Sequence, residues 1–322
     1  MNKFFWNQLQ SMALASAGPS FGKILVVMPS TDPNYDRMRE VIKNVDNNGV
    51  VRMFTTVAAA YAVATTNAND VIMLSAHSSH SEAMLTVAKN RIHFIGMDMG
   101  ERLNSQGTKI STPATSVAAS VAVISNTGTR NTYRNIKFIQ QGTNVAQTSA
   151  FIDTGEGTYI KNCGFEVNSI LTTVTQGLLF KGDTCHYEDC QIGNSTVTHT
   201  ASNQAPLVIQ TPARYSYFIN CKFIQFSDKT TASCIDVPDA NGVIGWIMFE
   251  NCFLLSASKG DGATAAGTMA EAVTSVTTTG YLYFRNSSSA FATAFAEADA
   301  SIYSDSIAPT ASAGGGIMTA GA

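Results

Sequence analysis

Acid pairs are the first places to look for chemistry in this sequence. Cleaving a polysaccharide needs either two carboxylates roughly 5 to 10 Å apart, or a carboxylate-held cation with a basic group beside it. The available acids are Asp153 with Glu156, Asp183, Asp236 with Asp239, and Glu166. Asp153 and Asp183 sit at similar places after the apolar runs AFI and GLLF, which makes them the best pair; Asp236 falls later in a longer stretch. The plainer role for all of them is turn capping. Cys185-His186 with Cys190 resembles a fragment of a metal site, but zinc takes four ligands in tight pairs, so neither metal nor cofactor is expected. His77, Ser78, Ser79 and His80 follow DVIMLS and could set two imidazoles on a turn beside Ser81 and Glu82. No G-x-S-x-G context accompanies them, and a solvated turn is the expectation. Gly260-Asp261-Gly262 reads as a turn.

What would position such groups is a repeat. The segments YRNIKFIQ, IKNCGFEV, YEDCQIGN, FINCKFIQ and FENCFLLS align on Ile136, Cys163, Cys190, Cys221 and Cys252, at spacings of 27, 27, 31 and 31 residues. Recurrence of this length marks a solenoid, in which each unit buries its apolar face on the next. Two positions after each anchor stand Phe138, Phe165, Ile192, Phe223 and Leu254, so anchor and second residue share the inner face of a strand. Three positions before it stand Tyr133, Ile160, Tyr187, Phe218 and Phe249, an odd offset that requires a bend in between. At the bend stand Asn135, Asn162, Asp189, Asn220 and Asn251, types that accept left-handed backbone and can bond along a column. VAVIS, AFID, GLLF and PLVIQ, further upstream, supply another side of the tube. The expected fold is all-β, a right-handed parallel β-helix with a small N-terminal α/β cap. Four of the six cysteines lie on the anchor column and read as reduced structural thiols, because in-register parallel strands seldom give a disulfide its dihedral.

Ahead of the repeat, KILVVMP reads as a strand and Asp32-Pro33 as the start of a helix through Lys43. Asn47-Asn48-Gly49 reads as a turn, VVRMF as a strand, and Thr55 or Thr56 as the cap of a second helix through Ala64. DVIMLS, AMLTVA and RIHFIG then read as the three strands of one coil. At the far end GYLYFRNSSS keeps Phe284 and Asn286 in their columns but puts Ser287 and Ser289 in the apolar places, so the core is expected to stop there. The loop ASKGDGATAAGTMAEAVTSVTT before it should project from the rod. The expected organisation is a docking arm over 1–21, a cap over 22–66, the β-helix over 67–290 and a tail over 291–322. Phe4, Phe5, Trp6 and Leu9 make the arm too apolar for a free tail. They dock onto a capsid or another subunit, or they plug the open end of the chain's own core. The low-complexity end SIAPTASAGGGIMTAGA is a binding arm or disordered.

Charged residues make up 13% of the chain, about half the roughly 25% usual for soluble proteins. Sparse charge suits a protein packed against neighbours, and equally a Thr- and Asn-rich β protein. A net charge of −3 with no Lys/Arg run offers no footprint for nucleic acid. No run approaches the roughly 18 apolar residues of a membrane span. Asn7, Gln8 and Gln10 interrupt the apolar stretch that a standard export signal needs, so a soluble product of the cytoplasm is expected.

Asn69-Asp70, Ile72, Leu74, Ile95 and Gly96 hold a pattern that resembles the first coil of pectin-lyase-like β-helix proteins, and the NC-x-F coils continue it, over about residues 22 to 290. That resemblance implies the fold and leaves the activity open. More narrowly, GKILVVMPSTDPNY followed by GVVRMFTT is similar to tailed-phage virion proteins associated with capsid surfaces. This implies a non-enzymatic capsid decoration or cement subunit, trimeric, with the major capsid protein as partner, made in the host cytoplasm and carried on the virion. The alternatives are a tailspike-like polysaccharide depolymerase or receptor-binding fibre, which would use Asp153 and Asp183, and a stand-alone carbohydrate-binding rod.

Overall fold

The computed structural model describes residues 22–43, 52–76, 79–98, 107–114, 120–168, 174–257, 269–290, 292–296 and 301–305. Phe4, Phe5, Trp6 and Leu9, the turn at Asn47-Asn48-Gly49, His77, Ser78, Gly260-Asp261-Gly262 and the end beyond Asp305 lie outside those residues.

The chain winds as a right-handed parallel β-helix with three long sheets, one of 11 strands and two of eight. Each coil passes from the first sheet to the second, then the third, and back to the first one level up. In the coil around Cys163 these are Tyr159–Lys161, Gly164–Val167 and Gln176–Phe180. Parallel pairing in register stacks like on like. Tyr133, Ile160, Tyr187, Phe218, Phe249 and Phe284 form one inner column in the first sheet. Phe138, Phe165, Ile192, Phe223 and Leu254 form another in the second. Phe151, Leu178, Leu207, Ile235 and Val273 form a third. All of these are buried, and the rings stack with centroids 4.6 Å apart for Tyr187–Phe218 and 4.7 Å for Phe249–Phe284. Each such side chain is worth roughly 1.5–3 kcal/mol of burial, before entropy is counted.

The corner between first and second sheets is the same at the six levels from Thr132–Arg134 to Gly280–Arg285, whereas four residues separate Val71–Leu74 from Ser79–Ser81 and twelve separate His93–Gly96 from Lys109–Ser111. Two residues separate Thr132–Arg134 from Lys137–Gln140, and the same number separates Gly280–Arg285 from Ser288–Ala290. The first of the two has left-handed backbone: φ is 57° at Asn135, 51° at Asn162, 54° at Asp189, 54° at Asn220 and 52° at Asn251. Their side chains bond level to level, Asn162 Nδ2 to Asn135 Oδ1 at 2.9 Å and Asn220 Nδ2 to Asp189 Oδ1 at 3.2 Å. The second is the anchor, pointing inward. Cys190, Cys221 and Cys252 aim Sγ at the carbonyls of Ile160, Tyr187 and Phe218 on the previous level, at 3.8, 3.7 and 3.3 Å. Thr108 and Ser287 occupy the same position at the ends of the column; Ser287 makes the same contact, to the Phe249 carbonyl, while Thr108 donates to the carbonyl of Ser75.

Two expectations change. The first coil consists of Val71–Leu74, Ser79–Ser81 and Leu85–Val87, while His93–Gly96 opens the next. Ser79–Ser81 was expected as a solvated turn because it is polar, yet it is a strand of the second sheet with His80 turned into the core. At the other end the coils run past residue 290. Ser287 and Ser289 stay buried, Ala292–Ala296 joins the third sheet with Phe295 in the core, and Ile302–Ser304 adds to the first.

Ile24–Val27 lies in the first sheet between Met53–Phe54 and Val71–Leu74. The helix Tyr35–Lys43 follows Asp32, whose carboxylate accepts from the Asn34 N–H at 2.9 Å. The helix Val57–Val63 packs on the end of the core through Val57 and Ala60. Thr56 caps its start, accepting from Ala59 N at 3.2 Å, and the Glu82 carboxylate accepts from Val57 N. At its other end Lys89 Nζ donates to the carbonyls of Tyr61, Ala62 and Ala64 at 2.7, 2.9 and 2.6 Å, where a cation also meets the negative end of the helix dipole.

Candidate interaction surface

Asp153 and Asp183 do not face a common space. Asp153 ends the third-sheet strand Ser149–Asp153 with its side chain inward, 0% exposed. It accepts from Tyr187 Oη at 2.6 Å, Asn126 Nδ2 at 2.8 Å, Gly155 N at 3.0 Å and Thr158 Oγ1 at 3.2 Å. Burial pushes this carboxyl above its ordinary pKa, and those hydrogen bonds pull it back. Asp183 lies on the outer turn that leads back to the first sheet, in an ion pair with Arg214, whose Nε and Nη2 reach Oδ2 at 2.8 and 2.7 Å. The Glu156 backbone pairs with that of Asp183 in an isolated parallel bridge on the same turn column.

The remaining acids lie apart from one another. Glu166 pairs with Lys137 Nζ at 2.7 Å on the outside of the second sheet, nearly buried. Asp236 accepts from Thr274 Oγ1 at 2.9 Å, and the Asp239 carbonyl accepts from Gly242 N in a turn. Cys185 and Cys190 point into the core while His186, between two inward residues, points out, so the three cannot share an ion. Among the described residues, no three His, Cys, Asp or Glu side chains converge as metal ligands. Burial pushes the thiols of Cys163, Cys185, Cys190 and Cys221 well above their ordinary range, and that of Cys234 up to about 12. A small polar recess at the second-to-third corner holds His199, whose Nδ1 lies 3.3 Å from Gln204 Nε2; burial alone lowers its pKa to about 4, so it stays neutral.

The outer face of the first sheet is different. Register places Thr132, Tyr159, His186, Tyr217, Met248, Tyr283 and Tyr303 in one outward column. Beside it, Trp246 pairs with Tyr281, and Tyr215 lies against Trp246 with centroids 5.9 Å apart. The rings touch from level to level: Tyr159–His186 at 5.3 Å, Tyr217–Trp246 at 4.9 Å, Tyr283–Tyr303 at 5.4 Å. Exposure is 42% for Tyr215, 38% for Tyr217, 46% for Tyr281 and 47% for Tyr303. Along one side runs a column of charged residues, most of them paired within the chain. Glu188 accepts from Lys161 Nζ and Tyr159 Oη, both at 2.6 Å, which holds its pKa below the usual carboxylate range against the effect of burial. Arg285 lies 3.7 Å from Glu250, and the Arg134 guanidinium sits over the Tyr159 ring.

This band follows from the same repeat that gives the core. Its members stand four and six residues before the anchor: Tyr159, His186, Tyr217, Met248 and Tyr283 at the first offset, Tyr215, Trp246 and Tyr281 at the second. The six-residue offset falls at left-handed backbone in Arg130, Gly157, Thr184 and Tyr215.

No known protein family's sequence profile matches the chain, and no curated protein sequence does. Solved structures match in shape. The deglycosylated pectin methylesterase of Aspergillus niger aligns over 90% of this chain and 85% of its own, at 15% identity and a TM-score of 0.54. The pectate lyase Pel9A aligns over 84% and 64%, at 13% identity and a TM-score of 0.53. ORF18 of Geobacillus virus E2 aligns over 77% and 52%, at 10% identity and a TM-score of 0.46, too low to bear on fold or function. The pectinase likenesses establish the pectin-lyase-like β-helix fold and nothing about activity.

Proposed function

We propose that this chain is a non-enzymatic structural subunit of a tailed-phage particle, a decoration or cement subunit on the capsid surface with the major capsid protein as partner. The observation that carries most weight is the separation of Asp153 from Asp183 by the wall of the rod. Asp153 is engaged by four donors inside and Asp183 by Arg214 outside. Hydrolysis by a carboxylate pair needs both on the substrate's side. The similarity of GKILVVMPSTDPNY and GVVRMFTT to virion proteins supplies the particle. Sparse charge and the aromatic band supply surface that desolvates at low cost in a permanent contact.

Gradient sedimentation of a lysate from cells expressing the whole parent genome tests this, with the chain followed by antibody. Co-migration with full and tail-less heads is expected. Recovery only with tails or free spikes would move the assignment to a receptor-binding fibre or depolymerase, and a wholly soluble chain would remove it from the particle. A reducing-end assay on host surface polysaccharide completes the test. No release is expected, and release abolished by Asp183→Ala would overturn the non-enzymatic assignment.

A further inference from the structure

We infer that the aromatic band on the outer face of the first sheet is where copies of this chain associate, rod beside rod. This goes beyond the particle assignment and stands or falls separately from it.

Three observations converge. The first is area. A bare aromatic side chain offers about 150–250 Å², so Tyr215, Tyr217, Tyr281 and Tyr303, each about two-fifths to half exposed, leave on the order of 350 Å² open. One partner in a standard interface contributes about 800 Å²; these four side chains supply a large part of that before Trp246, Met248 and Tyr283 are counted. Tyr, Trp and Met are also the types enriched at the centre of protein contacts.

The second is the state of the neighbouring charges. A small-molecule or glycan site needs polar groups free to converge on the ligand. Here Glu188 is taken by Lys161 and Tyr159, Glu250 by Arg285, and Asp183 by Arg214. Charges paired inside the chain leave a nearly neutral border, which does not repel an identical copy.

The third is Tyr215. Its φ is 48°, a conformation that disfavours bulky residues, at a position that elsewhere includes Gly157 with φ 64°. Its ring lies over Gly245, where a Cβ would come within 2.4 Å of Cε1. A tyrosine kept in this backbone and laid outward on a glycine serves the surface rather than the core.

The test is sedimentation equilibrium on the purified full-length chain. A discrete assembly of two or three copies at micromolar concentration is expected. The double variant Tyr217→Ser/Tyr281→Ser should raise its dissociation constant at least tenfold with unchanged far-UV circular dichroism, while Val145→Ser, 68% exposed on another face, should leave it unchanged. Tyr215→Asn guards against misfolding, because asparagine accepts left-handed backbone: association should weaken while the monomer keeps its melting temperature. A wild-type chain monomeric at 100 µM would overturn the inference, as would a double variant that associates as tightly as wild type. A monomer that binds a glycan array through these tyrosines would reassign the band to saccharide. Absence from heads in the lysate gradient would count against the particle assignment alone.

Discussion

At the scale of single residues, Asp153 shows how a candidate catalytic group becomes structure. Removing its carboxylate leaves Tyr187 and Thr158 with buried donors and no acceptor and takes one of the two acceptors of Asn126 Nδ2, each such loss costing about 1–3 kcal/mol. Asp153→Ala should therefore lower unfolding stability by at least about 3 kcal/mol in urea titration. Because burial raises the folded-state pKa, Asp153 favours folding most below the ordinary carboxylate range and loses that contribution as pH rises through its folded value. Asp153→Asn is neutral throughout. Its stability relative to wild type should improve as pH is raised from the ordinary carboxylate range, and thermal melts across pH read this directly. The cysteines make a matching case. Buried and free, they should resist a thiol reagent until the chain unfolds. Cys221→Ser should cost under about 1.5 kcal/mol, since a hydroxyl keeps the contact to the Tyr187 carbonyl as Ser287 does to that of Phe249, whereas Cys221→Val loses the donor.

At the scale of elements, two devices hold the coils. The Asn column combines left-handed backbone with a side-chain bond between levels. Asn220→Ala forfeits both and should cost about 1.5–3 kcal/mol, while Asn220→Gly forfeits only the bond and should cost about half as much. Lys89 holds the last carbonyls of the helix Val57–Val63 over the end of the core. Lys89→Met should lower stability by about 1–2 kcal/mol and speed hydrogen exchange in that helix first. Much of this was legible in the sequence: the anchor, inner and bend columns all appear at fixed offsets from Ile136 to Cys252. Ser79–Ser81 was not legible, because a strand whose one inward residue is His80 carries no apolar alternation. Asp153 misled for a related reason. A carboxylate after an apolar run looks like a turn residue, and only the donors from other coils reveal that it faces in. The aromatic band was present in the sequence at four and six residues before each anchor, but outward residues pattern as exposure and become a surface only once the coils stack.

At the scale of the whole molecule, the rod is a one-dimensional stack in which each level contacts the next. Almost every strand pairing is between residues more than 20 positions apart, so folding should be slow relative to helical domains of similar size. Stopped-flow refolding monitored by Trp246, on the rod's outer face, should show a dominant phase of seconds or longer.

From Thr132–Arg134 to Gly280–Arg285 the corner between the first and second sheets holds two residues at every level, yet the corner between the second and third opens from eight residues after Gln140 to thirteen between Gly193 and Leu207. Over these levels most of the variation in length falls along a single seam. Segments added there reshape one edge of the rod without disturbing the columns, whereas the Asn corner keeps its length over these six levels. Within this one chain the seam changes length from level to level while the aromatic edge keeps its place, so one side of the molecule is free to vary while the other stays fixed.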